Sequence, residues 1–319
     1  MTIALRYPQP VRTAFQAALT LSAAVIATVL FAALFSAKAI AQDSQEYMSM
    51  EGKVVLITGS TDGMGREVAQ RIGDLGAHVI VHGRNETRGN EVVEAINAGP
   101  GTAEFFRADL GNLRDVRALA AHVMQTHNEL HLLINNAGIG SAFNDGQRAV
   151  SEDGYEMVFQ VNYLSHYLLT DLLLPSLRAG APSRIVNVAS GAQTPIDFDD
   201  VMLENDFEGR RAYAQSKLAQ VLHTYHWAPK LESDNITFTT LHPATMMDTT
   251  MVAMSGRPSM STVDEGATAL MNLAVGKAME GKTGLYFNGL DQTRANAQAY
   301  DAEARQRLDT LSRELVGLD

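Results

Sequence analysis

The chain has 319 residues, of which 46% are hydrophobic and 19% charged, with a formal net charge of −11 and no cysteine. Disulfide scaffolds, thiolate metal sites and thiol nucleophiles are thereby excluded. The acidic balance argues against nucleic acid as a partner, because a phosphate backbone selects basic surfaces. At roughly 100–200 residues per domain, the length allows two ordinary domains or one large α/β domain.

The charge is unevenly placed. Residues 1–41 hold Arg6, Arg12 and Lys38 and no acid, so the 22 basic and 36 acidic residues that follow carry −14. After the first two arginines comes an apolar run over residues 17–37, then Ala39-Ile40-Ala41 ahead of polar Gln42-Asp43-Ser44. A small-x-small site behind an apolar run is the pattern of a secretory signal. At about 1.5 Å per residue the run is also long enough to cross a hydrocarbon core of roughly 30 Å. Residues 1–41 are therefore expected to export the chain or to anchor it in a membrane, with the body outside the cytoplasm. The alternative is a start at Met48 or Met50, which would leave a cytoplasmic protein.

From Gly52 onward, β-branched runs alternate with segments of helical period. Strands are predicted at residues 53–58, 77–82, 103–108, 130–135, 184–189, 235–241 and 283–287. Nearly continuous apolar runs such as VVLI fit strands buried on both faces. The alternation predicts an α/β fold in one domain over residues 50–319: a single Rossmann-type, doubly wound parallel sheet with helices on both faces.

The first strand runs into Thr58-Gly59-Ser60-Thr61-Asp62-Gly63-Met64-Gly65, followed by a predicted helix over residues 66–75. Glycines let a backbone turn sharply and approach a pyrophosphate, which then meets the unpaired N–H groups of a helix N-terminus. The strand before and the helix after are the context a dinucleotide site requires. At the end of the second strand a carboxylate would bond a ribose 2′-hydroxyl, and an arginine would accept a 2′-phosphate. The residue there is Arg84, which favours NADP(H) over NAD(H). Asp109, after the third strand, either reaches the adenine or caps the next helix.

Tyr213 and Lys217 stand four apart in a predicted helix, hence on one face. A neighbouring ammonium stabilises a phenolate, and moving a phenol from about 10 to about 7 requires roughly 4 kcal/mol.

With these residues in place, the chain resembles the short-chain dehydrogenase/reductase family over about residues 52–290. The resemblance rests on TGSTDGMG, on Asn135-Asn136-Ala137-Gly138, on Asn162 in FQVNYLSHYLL, on Ser190 in RIVNVAS and on Tyr213 with Lys217. LHPATMMDTTM, TGLYFNG and a helical terminus over residues 302–318 resemble the retinol-dehydrogenase-like and protochlorophyllide-reductase-like branch. The resemblance implies a catalytic set of Asn162, Ser190, Tyr213 and Lys217. Tyr213 would be the acid or base and Ser190 the hydrogen-bond donor to the substrate oxygen. Lys217 would lower the phenol pKa and bind ribose, and Asn162 would support a proton path. It also implies cofactor contacts from Thr58, Gly59, Ser60, Asp62, Gly63, Met64, Gly65, Arg84, Asp109, Leu110, Asn136, Ala137, Gly138, Pro243 and Thr245, besides Tyr213 and Lys217.

Two positions depart from the family pattern. Ala244 follows Pro243 where a glycine is usual, and Asp62 stands where NADP-dependent members often carry a base. The loop after His242 is rich in methionine (Met246, Met247, Met251, Met254, Met260), side chains that adapt to irregular apolar surfaces. The expected reaction is therefore hydride transfer between NADP(H) and a small apolar carbonyl or alcohol. The alternative is a catalytically silent nucleotide-binding regulator, against which the intact tetrad argues.

No metal set is read: the pair His223 and His226 lacks a third ligand at recognisable spacing. Asn235-Ile236-Thr237 satisfies an N-glycosylation pattern but is read as entering a strand. The apolar stretches 163–174 and 217–225 either form a helix face for a homodimer, as in family members, or pack within one subunit.

Overall fold

The structure is a computed structural model that describes residues 46–318. The leader assigned to residues 1–41 lies outside the described residues. Seven parallel strands and one antiparallel strand form a single sheet in the order β3-β2-β1-β4-β5-β6-β7-β8. They are β1 (Val54–Ile57), β2 (His78–Gly83), β3 (Thr102–Arg107), β4 (Leu132–Asn135), β5 (Ser183–Val188), β6 (Ile236–His242), β7 (Tyr286–Asn288) and β8 (Asp291–Thr293). All seven predicted strands are present, so the doubly wound α/β expectation is met. The unpredicted β8 turns back on β7, pairing Asn288 with Asp291. Its three residues are exposed and polar, so they carry no apolar alternation to read.

The period of two along each strand divides the core between the two faces of the sheet. Leu56, Ile80, Leu133 and Ile185 point to one face, under α3 (Leu113–Thr126), α4 (Ser165–Ala179), α5 (Gly209–Leu231) and α8 (Ala302–Val316). Their neighbours Val55, Ile57, Val79, Val81, Ile134 and Val186 point to the other, under α1 (Gly63–Asp74), α2 (Glu86–Asn97) and α7 (Val263–Val275). A short helix, α6 (Thr250–Met254), interrupts the methionine-rich loop.

Helix starts follow side-chain caps more than apolar period. Helix α1 begins at Gly63, three residues before the predicted start, because the Asp62 carboxylate accepts the Gly63 N–H. Asn112, not Asp109, caps α3. Asp109 instead closes a turn by accepting the Gly111 N–H at 2.9 Å. Asn235 lies in an exposed left-handed turn, with the strand starting one residue later.

Within the single chain, the apolar stretches 163–174 and 217–225 are buried except at Asp171, Leu172 and Tyr225. Helix α8 packs against α5 and against the start of α4, where Tyr163 Oη meets Ser312 Oγ at 2.7 Å and Tyr167 Oη donates to Asp309 at 2.7 Å. Trp227 Nε1 donates to the same Asp309 oxygen at 2.9 Å, and His226 Nε2 is 3.4 Å from the other. His223 is buried among these rings. Burial alone would raise the Asp309 carboxyl, but the His226, Tyr167 and Trp227 contacts outweigh it and hold the group well below the usual carboxylate range. A depressed carboxyl adds stability that is present above its unfolded pKa and is lost as pH falls towards the folded one. Asp309→Ala leaves the buried Tyr167 hydroxyl and the partly buried Trp227 N–H unpaired and is expected to cost about 3 kcal/mol. Urea unfolding at neutral pH reads that loss, and wild type and variant should converge in acid. Equal midpoints at neutral pH would remove Asp309 as the clasp of α8.

Candidate active site

The strand order reverses between β1 and β4, and the crevice at their carboxyl ends is where a doubly wound sheet binds ligands. The glycine turn lies there. Gly59 has φ +67°, and a Cβ on it would come within 2.8 Å of the Ala137 backbone. A Cβ on Gly65 would sit 2.2 Å from the Gly59 carbonyl oxygen. The turn is thus a bare-backbone cradle at the start of α1, which fits a pyrophosphate.

Buried side chains hold this cradle from below. Thr58 Oγ1 accepts the N–H groups of Asn136 (2.9 Å) and Ala137 (3.0 Å). Asn136 Nδ2 returns bonds to the carbonyls of Thr58 (2.8 Å) and Gly59 (3.1 Å). Ser60 donates to the Ile57 carbonyl and accepts the His82 N–H, which ties the turn to β1 and β2. His82 Nδ1 accepts the Gly59 N–H at 3.1 Å, and burial pulls that imidazole down to about 4.

Arg84 follows β2 with its side chain 65% exposed, 3.8 Å from the Asp109 carboxylate. Asp62 is fully engaged: it receives Gly63 N–H, Arg88 Nη1 at 3.2 Å and the Thr250 hydroxyl at 2.8 Å. Arg88 therefore neutralises the acid that stands where a base is usual. Leu110 is buried beside Asp109, and its carbonyl accepts the Ser165 hydroxyl.

Asn162 sits in a π-helical turn, Gln160–Leu164, just before α4. Such bulges re-aim a side chain. Here Asn162 Oδ1 accepts the Ile139 N–H at 2.8 Å, while Nδ2 donates to the Ile139 carbonyl and to Ser216 Oγ. Gly138 fits between this amide and Lys217, since a Cβ on it would lie 3.2 Å from Asn162 Oδ1 and 3.6 Å from Lys217 Nζ. Ser190 follows β5, and its side chain acts to lower the pKa of the Tyr213 phenol. Its Oγ also accepts the Ala192 N–H at 3.1 Å.

Tyr213 and Lys217 share a face of α5, with Nζ 5.8 Å from the ring centroid. Lys217 is 3% exposed and donates to the Val188 carbonyl (2.7 Å) and to Gln220 Oε1 (3.0 Å). Burial pulls its ammonium down to about 7. Burial pushes the Tyr213 phenol up, with the Ser190 bond opposing. Without the cofactor, desolvation is the main influence on both groups.

Pro243 and Thr245 follow β6 at the same end of the sheet, with Thr245 Oγ1 3.0 Å from His242 Nε2. The left-handed residue of that loop is Met246, not Ala244, so the alanine creates no backbone strain. Beyond it the chain crosses the crevice. Met247 packs at Gly266 near Met64, Thr249 at Gly63, and Met251 at Gly140. Next to Ser190 opens a cavity of about 350 Å³, lined by Gly191, Gln193, Tyr286, Asn288 and Arg294 among others.

The structure therefore gathers the cradle, Asn162, Ser190, Tyr213 and Lys217 at one end of the sheet. The short chain dehydrogenase family pattern matches residues 53–258. The chain belongs to the short-chain dehydrogenase family. Mouse retinol dehydrogenase 14 is 35% identical to this family member over 296 residues, covering 84% of this chain and 87% of its own. Human retinol dehydrogenase 12 is 31% identical over 283 residues, covering 85% and 88%. Among solved structures, an uncharacterized Mycobacterium paratuberculosis protein aligns with TM-score 0.71 at 26% identity, covering 86% of this chain and 97% of that one. A Pseudomonas aeruginosa RhlG/NADP active-site complex aligns with TM-score 0.62 at 25% identity, covering 76% and 96%. This short-chain dehydrogenase is an NAD(P)-dependent oxidoreductase of alcohol and carbonyl groups.

Two residues of the dehydrogenase site have no signal in the sequence. His166 Nε2 lies 2.9 Å from Thr58 Oγ1 and its Nδ1 lies 3.0 Å from the Asn162 carbonyl, so one ring joins the cradle to the π turn. Gln220 is buried and holds Lys217. Both lie in apolar helical runs, where a buried polar residue reads as an interruption until its partners are known.

Lys217 gives the cofactor-free enzyme a signature in pH. An exposed lysine titrates near about 10.4, so between about 7 and about 10 the unfolded chain holds a proton that the folded chain does not. Folded-state stability therefore rises with pH across that window, with the full penalty below about pH 7. Lys217→Met is expected to be favoured over wild type most at about pH 6 and to lose that relative gain by about pH 10. Parallel stability-against-pH curves for the two proteins would show that Lys217 is not titrating there.

Proposed function

We propose that this enzyme interconverts an apolar carbonyl compound and its alcohol with NADP(H), using Tyr213 as the acid and base. The observation that carries the reading is the half-buried Tyr213, its phenol raised in pKa by desolvation with Ser190 opposing, on the same helix face as Lys217, whose Nζ is 5.8 Å from the ring centroid. A phenol held protonated at neutral pH is the form that carbonyl reduction requires. Tyr213 would donate its proton to the carbonyl oxygen while the Ser190 hydroxyl hydrogen-bonds the same atom and spreads the developing charge. Lys217, held near neutrality in its pKa, would keep a mobile proton at Nζ and orient the ribose. NADPH, when bound, supplies the hydride to carbon. In oxidation the proton moves the other way, from the alcohol to the Tyr213 oxygen.

Arg84 supports the choice of NADP(H), because a guanidinium at the end of β2 suits bidentate binding of a 2′-phosphate. The Asp62 carboxylate does not oppose it, being bound by Arg88 and Thr250. The cradle residues 58–65, with Asp109, Leu110, Asn136, Ala137, Gly138, Pro243 and Thr245, would complete the dinucleotide site. The apolar character of the substrate is supported by Met251, Met254 and Met260, which are exposed on and beside α6 at the mouth of the crevice. Retinol dehydrogenases, by name enzymes of an apolar polyene alcohol, are its relatives.

Steady-state assays with a panel of apolar aldehydes and ketones test the reading. Turnover with NADPH should exceed that with NADH. Tyr213→Phe should lower kcat by about 10²- to 10⁴-fold with dinucleotide binding retained. Arg84→Ala should cut the NADPH preference by roughly tenfold or more, the size of a lost charge-assisted bond. Unchanged kcat in Tyr213→Phe would end the assigned acid–base role, and an unchanged coenzyme ratio in Arg84→Ala would end the phosphate assignment.

We propose further that residues 1–41 export or anchor this dehydrogenase. Among the described residues no helix is long and apolar enough to cross a membrane. Intact mass of the protein from fractionated cells should show either a start at Gln42 or a full-length chain in membranes. A soluble chain beginning near Met48 would exclude both.

A further inference from the structure

We propose that His78, Glu104 and His127 form a zinc-type metal site at the end of the sheet opposite the dinucleotide cradle. His78 opens β2 and Glu104 lies in β3, while His127 is the residue that ends α3. Three separate elements thus bring their ligand atoms within 4.8 Å of one another. The five peptide units from His78 to Gly83, at about 3.3 Å each, carry β2 some 16 Å to the cradle. The cluster is therefore not part of the dinucleotide site.

The chemistry of the donor set points to a ligand. His78 Nδ1 is 2.8 Å from Thr102 Oγ1, which fixes the ring and leaves Nε2 to face the cluster. That Nε2 is buried and has no hydrogen-bond partner. An orphaned buried imidazole nitrogen costs free energy unless something occupies its lone pair. The His78 and His127 rings stand 4.8 Å apart at 44°. Glu104 Oε1 is 2.8 Å from His127 Nε2 and 3.1 Å from His122 Nε2.

Two imidazoles and a carboxylate with an open fourth position are a common zinc donor set. Tetrahedral bonds of about 2.0–2.1 Å need ligand atoms roughly 3.3 Å apart, so the cluster has to contract by about an ångström and a half at most. Side-chain rotation of half-buried residues supplies that. On binding, His127 would turn from Glu104 to the metal. His122 would stay on the carboxylate and orient it, as the Thr102 hydroxyl orients His78. The physical effect is a clamp: β3 is the terminal strand of the sheet, and the metal would tie it to β2 and α3.

Chelator-treated full-length protein is titrated with Zn²⁺ alone by calorimetry and with Co²⁺ by visible absorption. We expect one saturable equivalent per chain and tetrahedral Co²⁺ bands. Thermal unfolding should shift upward, with metal at 100 times Kd multiplying the folding constant about 100-fold. His78→Gln, Glu104→Gln and His127→Gln should each weaken binding at least tenfold, while His226→Gln should bind as wild type does. Absence of saturable binding would overturn the site, as would binding unchanged in all three ligand variants. Should the variants fail to fold, X-ray absorption of wild type with one equivalent of Zn²⁺ decides. Two imidazoles in the shell support the site, and fewer than two overturn it.

Discussion

The hydroxyl of Thr58 is the point on which the dehydrogenase site depends. A threonine hydroxyl has two lone pairs and one proton. Both lone pairs are taken by the N–H groups of Asn136 and Ala137, so its proton must go elsewhere. His166 Nε2, at 2.9 Å, is the better placed acceptor, with the Ile134 carbonyl at 3.3 Å. His166 then accepts at Nε2 and must carry its own proton at Nδ1, which faces the Asn162 carbonyl at 3.0 Å. Only a neutral ring with that tautomer satisfies every group, and burial does pull the His166 pKa down to about 3. One buried proton inventory thus connects β1, β4 and the π turn. The cradle cannot shift without leaving a polar group unpaired in the core.

Desolvation is the second constraint. The same burial that strengthens these bonds acts on Lys217 and Tyr213 in the direction of their neutral forms. A solvated lysine would be a fixed cation, whereas one held near 7 is close to giving up its proton at neutral pH. Val188 and Gln220 oxygens keep Nζ aimed without fully compensating its charge.

What was legible in the sequence was whatever depends on local pattern. Buried parallel strands announce themselves as β-branched runs, and the bare backbone of residues 59–65 needs glycines at fixed spacing, so the sheet and the cradle were both predicted. The polar strand β8 carries no such pattern. The π turn was invisible because QVNYL reads as ordinary apolar helix, and the role of His166 depends on two partners, 108 residues back and four residues back in the chain. The start of α1 at Gly63 is set by the Asp62 cap, a local contact that the apolar period of residues 66–75 does not carry. The desolvation of Tyr213 and Lys217 is illegible for a related reason: spacing shows that an ammonium is near, but not that water is excluded from both groups. The histidine and glutamate cluster at the far edge, drawn from β2, β3 and the end of α3, has no sequence spacing that could have suggested it.

Asp62 shows how a residue that departs from a family pattern can take on a different task. Its carboxylate caps α1, receives Arg88 from α2, and receives the Thr250 hydroxyl from α6. A basic residue there could not accept any of these three bonds. The methionine-bearing segment that crosses the crevice is consequently tied at Thr250 to the same carboxylate that fixes the start of α1, with Thr249 packed on Gly63 beside it. Movement of that segment must break a hydrogen bond at the cradle. On the reading that the cradle holds the dinucleotide and the methionines meet the substrate, the two subsites are mechanically joined through one side chain, and Arg88 is spent on holding that joint while Arg84 remains exposed.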